Sequence, residues 1–399
     1  MATFSVAFLG CKVSHADAQE IRERLAAEGH KEAGEQVDVA VLSTCCVTHE
    51  AVRKSRQAAR RAARRAGRVY LTGCAANLEG AFEGLPANVR VVSLPAERAG
   101  VFVARDVGAI GCTRAEIGLD RVRAFVKVQD GCSFNCRFCV IPQVRGRSRS
   151  RAASSVLAEV SRRVRQGHRE IVLTGINLGC YRDRQAGLDL AGLVRAIGET
   201  PGLLRLRLSS IEVNHLGEKL LAALRETDPV STHLHVPLQS GDDGVLAAMG
   251  RRYDTATYLR RVARATEAGF NLTSDVIVGF PAEDEPAFEN TLLTVKAAGI
   301  TKVHVFPYSP RPGTVTAEED PVEPAVKKER SARLRAASAA ACREAWSRKL
   351  GSSDLVLIDR PGRGYGDDYA PWFVEAPVGS LIRARAEAVT EEGILGRAA

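Results

Sequence analysis

Short apolar runs alternate with longer amphipathic stretches from the start of the chain. FSVAFLG at 4–10, VDVAVLS at 37–43 and RVYLT at 68–72 have the length and β-branched content of buried strands. The segments 15–29 and 48–67 between them read as helices, the first with Ser14 as its N-cap. Strand–helix–strand alternation predicts a parallel α/β sheet. Each of the three strands runs directly into a cysteine: Cys11, Cys45 and Cys74. Parallel strands present their carboxyl ends along one edge, where ligands bind. Three cysteines distant in sequence are therefore expected to converge on one site.

The alternation restarts near residue 118. Strands are predicted at 122–128, 170–174, 203–208, 233–238, 271–278 and 301–306, with helices near 153–166, 187–199, 216–227, 254–268, 285–298 and 324–349. Six βα units imply an open or partial β/α barrel, with its site at the carboxyl ends of the strands. The last fifty or so residues change character. DLVLID, WFVEAP and SLIRARAEAV are joined by glycine-rich turns such as RPGRGYGDD. A small β-barrel module fits them, and a ragged tail is the alternative. The expected fold is thus α/β, divided into an N-terminal parallel α/β domain (2–110), a partial, TIM-like β/α barrel (118–348) and a small C-terminal β-barrel (349–399).

Composition narrows the chemistry. The chain is 45% hydrophobic and 26% charged, as folded chains are. No apolar run approaches the ~18 residues of a membrane span. The opening MATFSVAFLGC lacks a basic leader and a long apolar stretch, so no secretory signal is read there and a cytoplasmic location is expected. Ten cysteines in that compartment point to metal or redox chemistry rather than disulfides. A net charge of +9 favours an anionic partner.

The sharpest motif is Cys132-Ser-Phe-Asn-Cys136-Arg-Phe-Cys139, directly after the first barrel strand. Three thiolates do not complete the four-coordinate shell of structural zinc, although a zinc knuckle borrowing a distant cysteine is an alternative. The spacing also departs from the ferredoxin run. On a [4Fe–4S] cluster, three thiolates leave one iron open to an amine and a carboxylate. The amino-acid end of S-adenosylmethionine offers both.

This CxxxCxxC loop, with an aromatic at Phe138, resembles that of the radical S-adenosylmethionine enzymes. The resemblance implies that a reduced cluster cleaves the sulfonium and releases a 5′-deoxyadenosyl radical. The contexts LGCKVSHAD, LSTCCVTHEAVRKSRQ and LTGCAAN around Cys11, Cys45 and Cys74 narrow it to the methylthiotransferases, which hold a second [4Fe–4S] cluster by three N-terminal cysteines. DGCSFNCRFCVIPQVRGRSRSR, LTGINLGCY, RLRLSSIE, HLHVPLQSG, SDVIVGFPAE and VHVFPYSPRPGT extend the likeness over nearly the whole chain, and the C-terminal module looks like a short RNA-binding TRAM domain. TCCVTHEAVRKSRQ, CVIPQVRGRSRSR and VFPYSPRPGT look most like the branch acting on N6-threonylcarbamoyladenosine in tRNA. Ser14 and Ser43 stand where that pattern has Asn, Asn77 where it has Gln, and Cys46 where it has Thr. Alignment and position at the strand end favour Cys45 over Cys46 as the ligand.

The implied function is methylthiolation at C2 of that nucleoside beside the anticodon, by two [4Fe–4S] clusters and S-adenosylmethionine. The implied partners are a tRNA anticodon loop and a flavodoxin- or ferredoxin-type electron donor, with no membrane. Isopentenyladenosine in tRNA and an aspartate of a ribosomal protein are alternative substrates. A non-catalytic iron–sulfur or zinc RNA-binding protein is the alternative from another class. Candidate cofactor contacts at strand ends are Gly175, Asn177, Ser210, Glu212, Gln239 and Gly279, besides Phe138. None serves as a secure general acid or base. Cys112, Cys180 and Cys342 lack ligand spacing and read as free thiols.

Two arginine groups are candidate RNA contacts. AVRKSRQAARRAARRAGR contains no acidic residue and places 53, 57, 60, 61, 64 and 68 on one helical face, suited to tracking phosphates. Arg145, Arg147, Arg149 and Arg151 form the second group. Tyr365, Tyr369, Trp372 and Phe373 are candidate stacking platforms for unpaired bases.

Overall fold

Five parallel strands form the first sheet: β1 (Thr3–Phe8), β2 (Lys31–Glu32), β3 (Val37–Thr44), β4 (Ala66–Gly73) and β5 (Val89–Val91), in the order β2-β1-β3-β4-β5. The computed structural model describes every residue except Met1, Glu35, Leu94 and 109–121. Cys112 and the expected boundary near 118 lie outside the described residues. The register pairs Phe8 with Ser43 and Ser43 with Thr72, so the central strands end level with one another. Their apolar faces pack on α1 (Lys12–Ala27), α2 (His49–Ala63) and α3 (Ala96–Val107).

Several boundaries differ from those expected. The first helix begins at Lys12 with Cys11 at its N-cap, and Ser14 is buried inside it. Thr48 caps α2, its hydroxyl accepting the Ala51 N–H at 3.1 Å. That helix stops at Ala63 because Ala66 already pairs with Val37 across the sheet. Arg68 consequently belongs to β4 and pairs with Asp106 instead of joining the cationic helix face. The short strands β2 and β5 and helix α3 were not among the expected elements. The same compact unit takes in Asp130–Arg149, with its short helix α4 (Ile141–Arg145), and Ser309–Ala317.

The second unit holds β6 (Arg123–Lys127), β7 (Glu170–Thr174), β8 (Arg205–Leu208), β9 (His233–His235), β10 (Asn271–Val278) and β11 (Lys302–Pro307). Two parallel ladders, β8-β7-β6 and β9-β10-β11, meet through the bridges Leu206↔Val230 and Ser210↔His235. They make one open six-stranded barrel wall. Helices α5 (Ala153–Arg165), α6 (Leu190–Gly198), α7 (Glu218–Glu226), α8 (Asp243–Ala248), α9 (Thr255–Glu267), α10 (Glu285–Ala297) and α11 (Pro324–Ser347) accompany it. Leu206, Leu208, Leu234, Leu272 and Val303 join the core against those helices. By the two-residue strand period, Arg205, Arg207, His235, Asp275 and His304 face the other way, into the barrel.

A closed five-stranded barrel completes this unit: β12 (Ser353–Arg360), β13 (Arg363–Tyr365), β14 (Pro371–Phe373), β15 (Leu381–Val389) and β16 (Ile394–Ala398). Trp372 is fully buried with Val356, Ile358 and Ile394, so it is the core of this module and no base-stacking surface. Tyr365 and Tyr369 stack on each other at 4.9 Å, with the Arg207 guanidinium 4.5 Å over the Tyr369 ring. Arg205 donates to the carbonyls of Tyr365 and Leu355 at 2.8 and 2.9 Å. The two tyrosines thus fasten the small barrel to the core, and Phe373 lies half-buried under Arg363.

One carboxylate anchors this junction. Glu170 is fully buried among Arg123, Arg205 and Arg207. Burial favours its neutral acid, but the guanidinium groups of Arg207, Arg123 and Arg205 outweigh burial and hold the carboxyl below the usual range. A lowered pKa stabilises the fold above the unfolded value, and that contribution is lost as pH falls through the folded value. We expect Glu170→Gln to lower stability by about 3–5 kcal/mol at neutral pH in urea unfolding, since it leaves buried cations uncompensated. The difference from wild type should shrink as pH drops below the ordinary glutamate value of about 4.3.

Candidate functional site

Cys11, Cys45 and Cys74 follow the level carboxyl ends of β1, β3 and β4. Cys11 is exposed at the start of α1, whereas Cys45 and Cys74 are buried. Gly10, with φ +122°, makes the approach possible: a Cβ there would stand 2.8 Å from the Cys45 Cβ. Burial pushes the Cys45 thiol up to about 12, and the neighbouring Cys74 and Cys11 add to the effect. Cys46 points into the apolar core with Ala59, Val69 and Leu71 and hydrogen-bonds to Cys74. That contact and burial raise the Cys46 thiol, and the same contact, together with the adjacent Arg145, lowers Cys74 to about 7 against its own burial. Cys45 thus lies against Gly10 at the end of β1, and Cys46 against Cys74 at the end of β4.

Three soft thiols suit a thiophilic metal, zinc or the iron of an iron–sulfur cluster, and a buried cation lies beside them. The cation is Arg145, one of the residues expected to touch RNA. It is instead buried, with Nε donating to Cys74 Sγ at 2.9 Å, Nη2 to Asp17 at 2.8 Å and Nη1 to Asp130 at 3.1 Å. Both carboxylates are themselves buried. A sequence scan had no means of separating this arginine from the exposed ones on either side of it.

The second cysteine group lies in the same compact unit. Cys132, Cys136 and Cys139 are half-exposed on a loop closed by Cys132 N–H to Gly146 O at 3.0 Å. Gly131 sits at φ +68°, and a Cβ on it would stand 2.2 Å from the Arg147 carbonyl oxygen. Phe134 N–H donates to Cys132 Sγ at 3.4 Å, and Phe138 is half-buried. The three thiols are thus carried, half-exposed, on irregular backbone. None of the described cysteines forms a disulfide. Cys180 lies 3.3 Å from His215 Nε2, and Cys342 donates to Thr301 O at 3.0 Å.

In the second unit, the expected cofactor contacts gather at the carboxyl ends of β7 to β10. Asn177 N–H donates to Gln129 Oε1 at 2.8 Å beside Gly175, where a Cβ would meet the same oxygen at 2.9 Å. Ser210 bridges to His235. Gln239 adopts φ +67° and bridges to Val276. Gly279, at φ +72°, donates to Glu283 Oε1 at 2.6 Å. Glu212 is ion-paired with Arg251, and burial still raises its pKa against that pairing.

One inward-facing cluster carried no sequence signal. His235 Nε2 lies 3.2 Å from Asp275 Oδ2, His304 stands opposite Asp275 on β11, and the donor atoms of all three lie within 4.8 Å of one another. Thr273 Oγ1 is 2.9 Å from His235 Nδ1 and so fixes the ring.

Among the described residues of α2 and the turn after it, Arg60, Arg61, Arg64 and Arg65 are exposed and have no acidic partner. Arg53 and Lys54 pair with Glu50, and Arg56 donates to the carbonyls of Ala81 and Glu83. The cationic face is narrower than the composition suggested. Arg147 and Arg149 are exposed, whereas Arg151 pairs with Glu159.

An open β/α barrel with a CxxxCxxC loop is the pattern of a radical S-adenosylmethionine enzyme, and residues 126–295 match the family model described as the Radical SAM superfamily. Residues 3–92 match the model described as Uncharacterized protein family UPF0004. The threonylcarbamoyladenosine tRNA methylthiotransferase MtaB of Chlamydia pneumoniae is 32% identical, covering 99% of this chain and 97% of its own length. The MtaB of Bacillus subtilis is 35% identical over 85% of this chain and 80% of its own. The tRNA-2-methylthio-N(6)-dimethylallyladenosine synthase of Paracoccus denitrificans is 34% identical, covering 94% and 92%. The chain belongs to the radical S-adenosylmethionine tRNA methylthiotransferases, an enzyme family whose cofactors are S-adenosylmethionine and [4Fe–4S] iron–sulfur clusters. The fold is also similar to that of the radical S-adenosylmethionine methyltransferase TsrM of Kitasatospora setae, with a TM-score of 0.60 at 14% identity, over 79% of this chain and 75% of that one. Among the described residues, no helix is long and apolar enough to cross a membrane.

Three substitutions test this geometry through iron content after anaerobic reconstitution. Cys45→Ala should lose the iron held at the sheet edge, while Cys46→Ala should retain it. Gly131→Ala should lose the iron of the Cys132–Cys139 loop and leave the sheet-edge iron in place, because the added Cβ collides with a backbone carbonyl.

Proposed function

We propose that this enzyme places a methylthio group on C2 of N6-threonylcarbamoyladenosine beside the tRNA anticodon, in the cytoplasm, with electrons from a flavodoxin- or ferredoxin-type donor. The observation that carries this reading is the near full-length similarity to relatives named for that nucleoside. The threonylcarbamoyl group ends in a carboxylate, whereas a dimethylallyl group is apolar. The inward face of β9 to β11 carries His235, ion-paired with Asp275, together with the exposed His304 and the exposed Phe306. On this reading His304 donates to the terminal carboxylate of the threonylcarbamoyl group.

Two [4Fe–4S] clusters and S-adenosylmethionine, when bound, supply reductive cleavage of the sulfonium and the sulfur and methyl that are transferred. Cys11, Cys45 and Cys74 would hold the auxiliary cluster, and Cys132, Cys136 and Cys139 the radical one. Phe138, Gly175, Asn177, Ser210, Gln239 and Gly279 would bind the S-adenosylmethionine, with Glu212 contributing through its paired carboxylate. Arg60, Arg61, Arg64 and Arg65 would meet tRNA phosphates, making affinity fall with salt. On this reading 2–110 is the auxiliary-cluster domain, 118–348 the radical core and 349–399 the RNA-binding module.

Nucleoside mass spectrometry of total tRNA, with and without the gene, tests the substrate. Loss of 2-methylthio-N6-threonylcarbamoyladenosine with accumulation of its precursor is the expected result. Loss of the isopentenyl product instead would reassign the substrate, and an unchanged profile would point to a ribosomal protein. His304→Phe should raise the KM for threonylcarbamoylated tRNA roughly tenfold, the size of one lost charged hydrogen bond, and leave S-adenosylmethionine cleavage without tRNA unchanged. Cys74→Ala should spare that cleavage and stop methylthiolation.

A further inference from the structure

Arg145 is more elaborately held than a structural arginine needs to be. Its side chain is 5% exposed, and an uncompensated cation there would cost several kcal/mol. Two buried carboxylates already surround it: Asp17 from α1 and Asp130 from the residue before the Gly131 turn. Together they offset its charge, yet its Nε is directed at neither. It donates to Cys74 Sγ at 2.9 Å. The carboxylates fix the plane of the guanidinium, and that plane aims one N–H at a sulfur.

Hydrogen bonds to ligand sulfur and nearby charge are among the factors that set an iron–sulfur reduction potential. A positive group beside a thiolate ligand stabilises the more negative, reduced cluster. The same side chain reaches from the Asp130–Arg149 segment, which carries Cys132, Cys136 and Cys139, to the sheet edge that carries Cys74. One cation therefore touches the ligand shell of one cysteine group while its own backbone belongs to the segment of the other.

Resting on the two-cluster reading above, we propose that Arg145 is a positioning residue for the auxiliary cluster: clamped by Asp17 and Asp130, it holds the Cys74 ligand by an N–H···S bond and raises that cluster's reduction potential. The opposing carboxylates make the effect adjustable in sign. Removing the cation lowers the potential, and removing a carboxylate raises it.

The test uses the full chain carrying Cys132→Ala, Cys136→Ala and Cys139→Ala, so that only the auxiliary cluster remains. Arg145→Met, Arg145→Lys and Asp17→Asn are added singly to it, and iron content and the potentiometric EPR midpoint are measured for each. The expected result is one cluster per chain, with the midpoint shifted down in Arg145→Met, partly restored in Arg145→Lys and shifted up in Asp17→Asn. A role confined to folding would lower iron occupancy without moving the midpoint of the clusters that form, in opposite directions or at all. Equal midpoints in all variants would overturn the proposal. Should Arg145→Met fold too poorly to hold iron, the opposite shifts of Arg145→Lys and Asp17→Asn decide it. If the triple-cysteine background itself holds no cluster, the two-cluster reading falls, and this proposal with it.

Discussion

A charge removed from water must find its compensation inside the protein, and in this chain that requirement shapes both compact units. In the first, the guanidinium of Arg145 is enclosed with two carboxylates and a thiol, from α1, the end of β4 and the loop before Cys132. None of these partners is close to another in sequence. Each is buried well enough that losing its counterpart would leave an unpaired charge, so the elements that carry them are held together more strictly than apolar packing alone would hold them. The level ends of β1, β3 and β4 bring three thiols to the same place, and the cation lowers the cost of turning Cys74 into a thiolate.

The second unit meets the same requirement with the charges reversed. One carboxylate, Glu170, is surrounded by three arginines, all of which reach outward to the small C-terminal barrel. Tyr365 and Tyr369 spend their ring faces on those guanidinium groups, and Trp372 spends its own inside the barrel. Aromatic residues that composition alone offered to RNA thus serve cohesion. The carboxyl ends of β7 to β10 collect glycines and short polar residues with left-handed or irregular backbone, at Gln239 and Gly279 among others. Regular hydrogen bonding ends there, which lets backbone groups face a ligand.

Much of this was legible in the sequence. The strands and the longer helices of the core follow from local periodicity, because burial of one face is decided every two residues in a strand and every three or four in a helix. The CxxxCxxC spacing and the cysteine at each strand end are likewise local facts, and parallel pairing carries them to a common edge. What tertiary structure alone decided depends on partners remote in the chain. Cys45 packs beside Gly10 of the turn after β1, whereas Cys46, its neighbour in sequence, packs among Ala59, Val69 and Leu71. The cationic helix ends at Ala63 because Ala66 is claimed by Val37. Arg145 and Arg147, two residues apart and alike in composition, go one to the interior and one to solvent. A sequence states where charge is placed along the chain, but only the folded arrangement decides which charge is compensated, and by what.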